Sequence, residues 1–413
     1  MSRSTTNLVL ARFISRSGGE AAFFVGIWGK AAFEFEANAP QLAVLMGALA
    51  VASLIGSTLS GLAIDRLGPK RVLIVGEIAF VPVALSALLA TDMRSLSVVA
   101  GFIGLVGAPV YTAIASFPPF LASDVNRLTK INAHVETAGM AALVAGTAIG
   151  AAIAEWGDLD WIFVFDAATS VVGAMLVLPM TLRRVESTSG EHGAFAESLR
   201  GFSIVYRHNR LRFYVLAGTA VWILFGMFGA LEPLFYRDVL DATPSTIGWV
   251  NAILGVGLIL GTTAASRLSE PWRTARFLTW LVSGIGVAAV IYVATDSLAV
   301  VTAGGFLWGL LIGVLAPLLR TLIHVNTPEG AVGRVMGANQ VHADGAKLAL
   351  LGVAPILANR FGVQETLVAC GVVLMAAAAA FVPHARALDR TRTVPVPPVG
   401  ASKVSDEPLS PNP

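Results

Sequence analysis

Charge is scarce in this chain. Only 13% of its 413 residues are Asp, Glu, Lys or Arg, against about a quarter in a soluble protein of ordinary composition. Hydrophobic residues make up 55% and mean hydropathy is +0.74, which puts the chain in the membrane class. Cysteine is nearly absent: Cys370 stands alone, so no disulfide forms within the chain. A Gly-x-x-x-x-Gly-Lys-[Ser/Thr] loop is missing, which removes a nucleotide-driven pump. No His, Cys, Asp or Glu cluster has metal-ligand spacing, and no nucleophile motif occurs, so no metal, cofactor or catalytic residue is expected and an enzyme is disfavoured. A net charge of +2 is too small to argue for nucleic acid. The N-terminus has no short apolar stretch ending in a small-residue cleavage site, so a cleaved signal peptide is not expected, and the first helix serves as its own insertion signal.

What the chain does have is long apolar segments. A spanning helix needs ~20 mostly apolar residues, and twelve such segments can be placed, at about 10–33, 41–63, 72–91, 97–118, 135–155, 160–182, 212–236, 246–266, 276–295, 298–321, 337–358 and 363–385. The loops between them alternate in charge. Bases follow the even-numbered segments, among them Arg127, Lys130, Arg267, Arg273, Arg334 and Arg386. Acids dominate the opposite side, with Glu34, Asp92, Glu155, Asp158, Asp241 and Asp296; Lys30, Arg94, Arg237 and Arg360 are exceptions there. Lysine and arginine in excess mark the cytoplasmic side, so both termini are expected in the cytoplasm. The longest internal connection, from Thr181 to Arg212, is polar and splits the chain six and six, and Phe195 to Tyr206 reads as an amphipathic helix on the membrane surface. The Pro-rich end of the chain reads as disordered. The expected divisions are a first bundle at 1–182, a cytoplasmic linker at 183–211, a second bundle at 212–386 and a disordered cytoplasmic tail at 387–413.

The halves read as a diverged repeat. A shift of 201 places Gly47, Gly56, Leu59, Arg66 and Leu67 on Gly248, Gly257, Leu260, Arg267 and Leu268; a shift of 206 places Val135 and Gly139 on Val341 and Gly345. The most specific stretch is Gly61-Leu-Ala-Ile-Asp65-Arg66-Leu-Gly68-Pro69-Lys70-Arg71, a charged cluster confined between two apolar runs. Gly61 and Gly68 suit a turn of the backbone, Asp65 can cap the turn that follows, and Arg66, Lys70 and Arg71 belong on the cytoplasmic side. This pattern resembles the signature between the second and third helices of the major facilitator superfamily, with Pro69 where that family usually has a base. The resemblance spans about residues 5–387. It implies an all-α integral membrane protein of twelve transmembrane helices in two pseudo-symmetric six-helix bundles, rocking around a site near the midplane. Among its branches, bacterial drug exporters and siderophore exporters are the most similar.

Charges inside membrane helices are expensive and functional by default. The first helix holds Arg16 and Glu20 one turn apart around Gly18 and Gly19. An acid after a glycine here resembles the drug–proton antiporters of that superfamily. Glu20 can bind a cation or carry a proton; a permanent Arg16–Glu20 ion pair is the alternative. Asp166 and Glu232 can line the outward part of a cavity, with interfacial hydration as the plainer role. Glu77 suits snorkelling or pairing with loop cations. In the eleventh segment His342, Asp344 and Lys347 lie together, Asp344 and Lys347 at pairing distance on one face, and the repeat sets His342 opposite Glu136. Histidine suits a proton step, as it suits a hydrogen bond at a helix end. Arg320 can hold an anionic group or anchor at the interface. Gly146 and Gly150 form a close-packing pattern. Trp28, Phe33, Tyr111, Phe117, Trp222, Phe225, Phe228 and Trp308 can line an apolar cavity or face lipid. The expected function is proton-coupled export of a small, largely apolar molecule by a monomer in the cytoplasmic (inner) membrane, with protons, substrate and the lipid bilayer as its partners. Uptake of a nutrient or sugar is the rival within the class, and a transporter-fold sensor or scaffold the rival outside it.

Overall fold

The computed structural model describes residues 2–122, 124–182, 194–328 and 331–390. Among them the chain forms thirteen α-helices and no strand, as a bilayer demands of a spanning chain that does not close into a barrel. Helix α1 (Arg3–Ala21) runs on through two π-helical stretches, Ala22–Ile27 and Lys30–Glu34. In the first half follow α2 (Ala39–Leu67), α3 (Pro69–Ser86), α4 (Met93–Ser116), α5 (Val125–Trp156) and α6 (Asp160–Val177). A shorter α7 (Ala194–Arg207) leads to α8 (Asn209–Leu234), α9 (Pro244–Ser266), α10 (Ala275–Val293), α11 (Leu298–Asn326), α12 (Val332–Phe361) and α13 (Val363–Arg390). By length and composition eleven of these can cross a membrane. The remaining long helix is α1, whose Arg12, Arg16, Glu20 and Lys30 spoil its apolarity although it packs centrally against α5 and α6.

The repeat read from the sequence reappears as packing. In the first half α2 and α4 lie backbone to backbone: a Cβ on Gly56 would overlap the Leu105 carbonyl, and one on Gly104 the Leu49 carbonyl. In the second half α9 and α11 do the same, Gly257 against the Phe306 carbonyl and Gly309 against that of Leu254. Without a hydrophobic drive between helices in lipid, such close approach is what holds them together. Gly146 and Gly150 of α5 pack on Ser17 and Ala21 of α1, and in the equivalent helix pair Gly226 of α8 packs on Lys347 of α12, with the glycine on the other partner.

The two halves meet mainly at the end that carries the acids. Arg237 donates to the carbonyls of Ala32 and Ala37 at 2.8 and 2.9 Å, Trp249 donates to Glu155, and Gly248 lies against Thr147. At the base-bearing end the first half keeps a separate core around Leu8, Leu73, Phe117 and Val177, and Glu136, Thr137, Gln340 and Val341 are exposed. Two bases that break the charge rule are neutralised on the spot. Lys30 pairs with Asp160 at 2.7 Å and Glu34 at 3.2 Å, and Arg237 pairs with Asp238.

The Gly61–Arg71 stretch is shorter as a loop than expected. Helix α2 continues through Gly61, Asp65 and Arg66 to Leu67, and the turn is Gly68 alone, at φ +78°, a conformation that glycine adopts without strain. Pro69 opens α3, where its fixed φ and missing N–H cost nothing. Asp65 therefore caps no turn: it is an exposed residue in the last turns of α2, and α3 begins without a side-chain cap. Lys70 donates to the carbonyls of Leu178 and Met180, both at 2.8 Å, tying α3 to the end of α6, while Arg66 and Arg71 are exposed. The linker helix α7 also departs from expectation. Instead of lying free on a membrane surface, it docks on α12, with Gly201 against the Arg334 carbonyl, Val205 buried, and Tyr206 bonded to His342 at 2.9 Å. The last helix continues to Arg390, so residues 387–390 are helical rather than tail; residues 183–193 of the expected linker and 391–413 of the expected tail lie outside the described residues.

Replacing Gly257 by valine should separate α9 from α11 and cost about 1–3 kcal/mol, lowering the unfolding temperature in detergent. Gly47, with no atom within 4 Å of an added Cβ, should accept alanine with unchanged or slightly raised stability.

Candidate functional site

Helix α1 places its charges at positions 12, 16 and 20, one turn apart and therefore on one face. That face borders a cavity of about 370 Å³ in the first half, lined also by α3, α4 and α6. Arg16 and Glu20 form an ion pair at 2.7 Å. Arg12 is buried with its guanidinium 4.7 Å above the Tyr111 ring. Across the cavity stand Glu77 of α3, 2% exposed, and Asp166 of α6, 1% exposed. Ser15 donates to Glu77 at 3.0 Å. Among the described residues the Asp166 Oδ2 atom is buried and meets no hydrogen-bond donor. Gly18 makes room for Asp166, Gly173 makes room for Glu77, and Gly19 faces open space beside Glu20.

A second cavity of about 340 Å³ lies between the halves. Its walls are aromatic: Trp28 from α1, Trp222, Phe225 and Phe228 from α8, and Trp308 from α11. The indole Nε1 atoms of Trp28 and Trp308 are buried without an acceptor among the described residues. Two charged side chains line it. Glu232 accepts from the Tyr292 hydroxyl at 2.5 Å, which in turn bonds Tyr236 at 2.6 Å. Lys347 lies 4.2 Å over the Trp222 ring and pairs with Asp344 at 3.2 Å. Phe23 lines both cavities.

The candidates named from the sequence thus separate into groups. Arg16, Glu20 and Asp166 share the first cavity, whereas Glu232 borders the second. Asp344 holds Lys347 and accepts from Gln340 at 2.9 Å. His342 is occupied by α7, bonded to Tyr206 and in ring contact with Phe202 at 4.9 Å. Glu136 is exposed on α5, within electrostatic range of Arg12, and Arg320 is exposed on α11. Two expectations fail. Glu77 does not snorkel to loop cations, because its carboxylate is buried on Ser15. Interfacial hydration does not describe Glu232, which is 6% exposed and held by a tyrosine. Among the named aromatics Tyr111 borders the first cavity, Phe117 is in the separate core, and Phe33 only packs beside the main core. Arg12 was not singled out in the sequence, although its spacing of four from Arg16 put it on the same face.

The family model of the Major Facilitator Superfamily matches residues 8–348 and 233–405. The chain belongs to this superfamily. Among curated relatives, the multidrug efflux pump Tap of Mycolicibacterium fortuitum is 24% identical over 81% of this chain and 85% of its own length. The Tap pump of Mycobacterium tuberculosis is 26% identical over 89% and 91%. The multidrug transporter MdfA of Escherichia coli is 25% identical over 67% and 69%. Solved structures of the same fold include the nucleoside transporter NupG, at 12% identity, TM-score 0.74 and coverage of 91% and 99%. A bacterial homologue of the lysosomal transporter Spinster, inward-facing and unoccupied, matches at 13% identity, TM-score 0.74 and coverage of 95% and 98%. A superfamily member is a multi-pass membrane transporter, and the twelve-helix, two-bundle expectation agrees with this fold.

Removing the Tyr292 hydroxyl by phenylalanine leaves Glu232 and Tyr236 each short of a buried partner. The loss should be about 1–3 kcal/mol, read as a lower unfolding temperature of the purified protein, whereas Tyr206→Phe at the accessible α7 contact should change it far less.

Proposed function

We propose that this transporter is an exporter that exchanges protons for a small, largely apolar molecule by alternating access, as a monomer in the cytoplasmic membrane. The observation that carries this reading is a shared wall: Phe23 belongs both to the charged cavity of Glu20 and to the aromatic cavity between the halves. A charge change at Glu20 is thereby adjacent to the chamber that would hold the cargo. The aromatic lining suits an apolar body, since rings offer large contact area and little hydrogen bonding. Sugar uptake fits less well, because the amide of Asn251, a polar group at that cavity, already donates to the Ile247 carbonyl at 3.0 Å. Relatives named as multidrug efflux pumps support the export direction.

The base-bearing end faces the cytoplasm by the excess of lysine and arginine there. The halves then touch on the outer side, and the described state opens inward. In the cycle a proton reaching Glu20 from outside cancels its charge and frees Arg16, so the Arg16–Glu20 pair and its protonated alternative belong to different conformations. A ligand or proton shifts such an equilibrium only by its differential affinity for the two states. Buried Asp166 and Glu77, which line the same cavity, are the acids that would pass that proton on. In the superfamily signature, Lys70 holds α3 to α6 and Asp65, Arg66 and Arg71 present charge at the inner surface.

Glu20→Gln should abolish substrate extrusion driven by a pH gradient in reconstituted vesicles while leaving substrate binding or exchange measurable. Extrusion against a gradient by that variant would move the proton role to Asp166, Glu232 or His342, or remove proton coupling. For orientation, in a Cys370→Ala background a cysteine replacing Ser269 should label only from the cytoplasm and one replacing Ser297 only from outside; both positions are exposed, at opposite ends of the bundle. The reverse pattern would invert the topology.

A further inference from the structure

The base-bearing end holds a recess that shares no lining residue with either cavity. Arg276 at the start of α10 and Arg386, Asp389 and Arg390 at the end of α13 enclose about 400 Å³. All three arginines are exposed, and among the described residues none is in an ion pair. The acid in the group is already committed: the two Asp389 oxygens accept from the backbone N–H groups of Ala275 at 2.9 Å and Arg276 at 3.0 Å, capping α10. Three guanidinium groups are thus gathered around one occupied carboxylate, with a net surplus of positive charge and forked donors that match a phosphate.

The recess continues into the apolar zone. Arg276 and Arg386 also border a narrow slot with Thr279, Trp280, Val382 and Ala385. Trp280 lies four residues beyond Arg276 and Val382 four before Arg386, so each arginine stands one helical turn nearer the membrane surface than an apolar partner. Trp280 is 68% exposed, a belt position for an indole. Charged heads above and an apolar slot below reproduce the polarity profile of a phospholipid. We propose that the groove between α10 and α13 binds an anionic phospholipid, its phosphate on Arg276, Arg386 and Arg390 and the first part of an acyl chain beside Trp280. Basic pockets between membrane helices take such headgroups. The site lies on the outside of the second bundle, apart from both cavities, and does not depend on cargo or on transport direction.

The test is lipid retention by the full-length protein purified in mild detergent and read by native mass spectrometry, with phosphatidylglycerol and phosphatidylcholine offered at equal concentration. Wild type should retain phosphatidylglycerol in clear preference, and the preference should weaken as salt is raised. Changing Arg276, Arg386 and Arg390 to glutamine should lower phosphatidylglycerol retention by about fivefold for each arginine removed, to the level of phosphatidylcholine. Trp280→Ala should weaken retention of both lipids while keeping the preference between them. Equal retention of the two lipids by wild type, or undiminished phosphatidylglycerol on the triple variant, overturns the proposal. Displacement of the lipid by an equal concentration of inorganic phosphate, with no effect of Trp280→Ala, also overturns it and leaves a free-anion site. If the triple variant loses the wild-type unfolding temperature, the wild-type salt series and Trp280→Ala decide the matter, since neither disturbs the arginines.

Discussion

An ionised side chain in hydrocarbon must be answered inside the protein, and α1 imposes that demand four times. Arg12, Arg16, Glu20 and Lys30 lie on one helix that crosses the structure. Their answers come from every direction: Tyr111 of α4 beneath Arg12, Glu20 for Arg16, and Asp160 of α6 for Lys30. Acids arrive from α3 and α6 to border the same space. Glycines then become necessary, because the groups fit only where Gly18 and Gly173 leave volume for them. The first cavity is the volume left inside this arrangement. In the second half the equivalent helix, α8, has between Arg212 and its π-helical end a single charged residue, Glu232, bonded to a tyrosine pair. The pseudo-symmetry of the backbones therefore does not extend to the charges of the first cavity.

Backbone contact supplies the frame in which those charges are held. The α2–α4 and α9–α11 pairs use the same glycine-to-carbonyl geometry at positions related by the repeat, Gly56 with Leu105 and Gly257 with Phe306. Each pair is a rigid unit. Contacts between halves are fewer and mixed: Gly248 lies against the Thr147 carbonyl, and around it stand polar contacts, Arg237 on carbonyls and Trp249 on Glu155. The polar contacts of the seam can be exchanged for water, which suits bundles that stay whole while the seam between them opens.

The architecture was legible because two of its causes are written locally. Apolar length places the helices, and the alternation of Arg127, Arg267 and Arg334 with Asp92, Glu155 and Asp296 orders the loops. Glycine spacing at Gly56 and Gly257 gave the repeat. The candidate site was legible only in part. Glu20 and Asp166 stood out as acids in apolar surroundings, but nothing local says that Glu77, midway along α3, is turned inward onto Ser15. Arg12 was hidden by its nearness to the chain's start, where an arginine normally meets water. The turn at Gly68 looked longer than it is because Asp65 and Arg66 are loop-like residues, yet they ride on an exposed helical turn where their charge costs little. The docking of α7 rests on α12, more than a hundred residues further along the chain, and no pattern within 194–207 names that partner.

The π-helical stretches of α1 have a consequence for how this chain tolerates change in length. A π turn accommodates one residue more than an α turn, and such turns occupy Ala22–Ile27 and Lys30–Glu34. Between Glu20 and Lys30 the helix thus hands its side chains from the charged cavity to the aromatic one and on to Asp160. Deleting a single codon within Ala22–Ile27 would let the stretch relax to an ordinary α-helix without breaking it. Everything beyond would then keep nearly the same facing, because the π turn had already absorbed the extra residue, leaving Trp28 on the cavity wall and Lys30 beside its acid. The same deletion in the α-helical turns before Glu20 would instead turn the rest of the helix by about 100°, and its two ends would no longer face the rooms they serve.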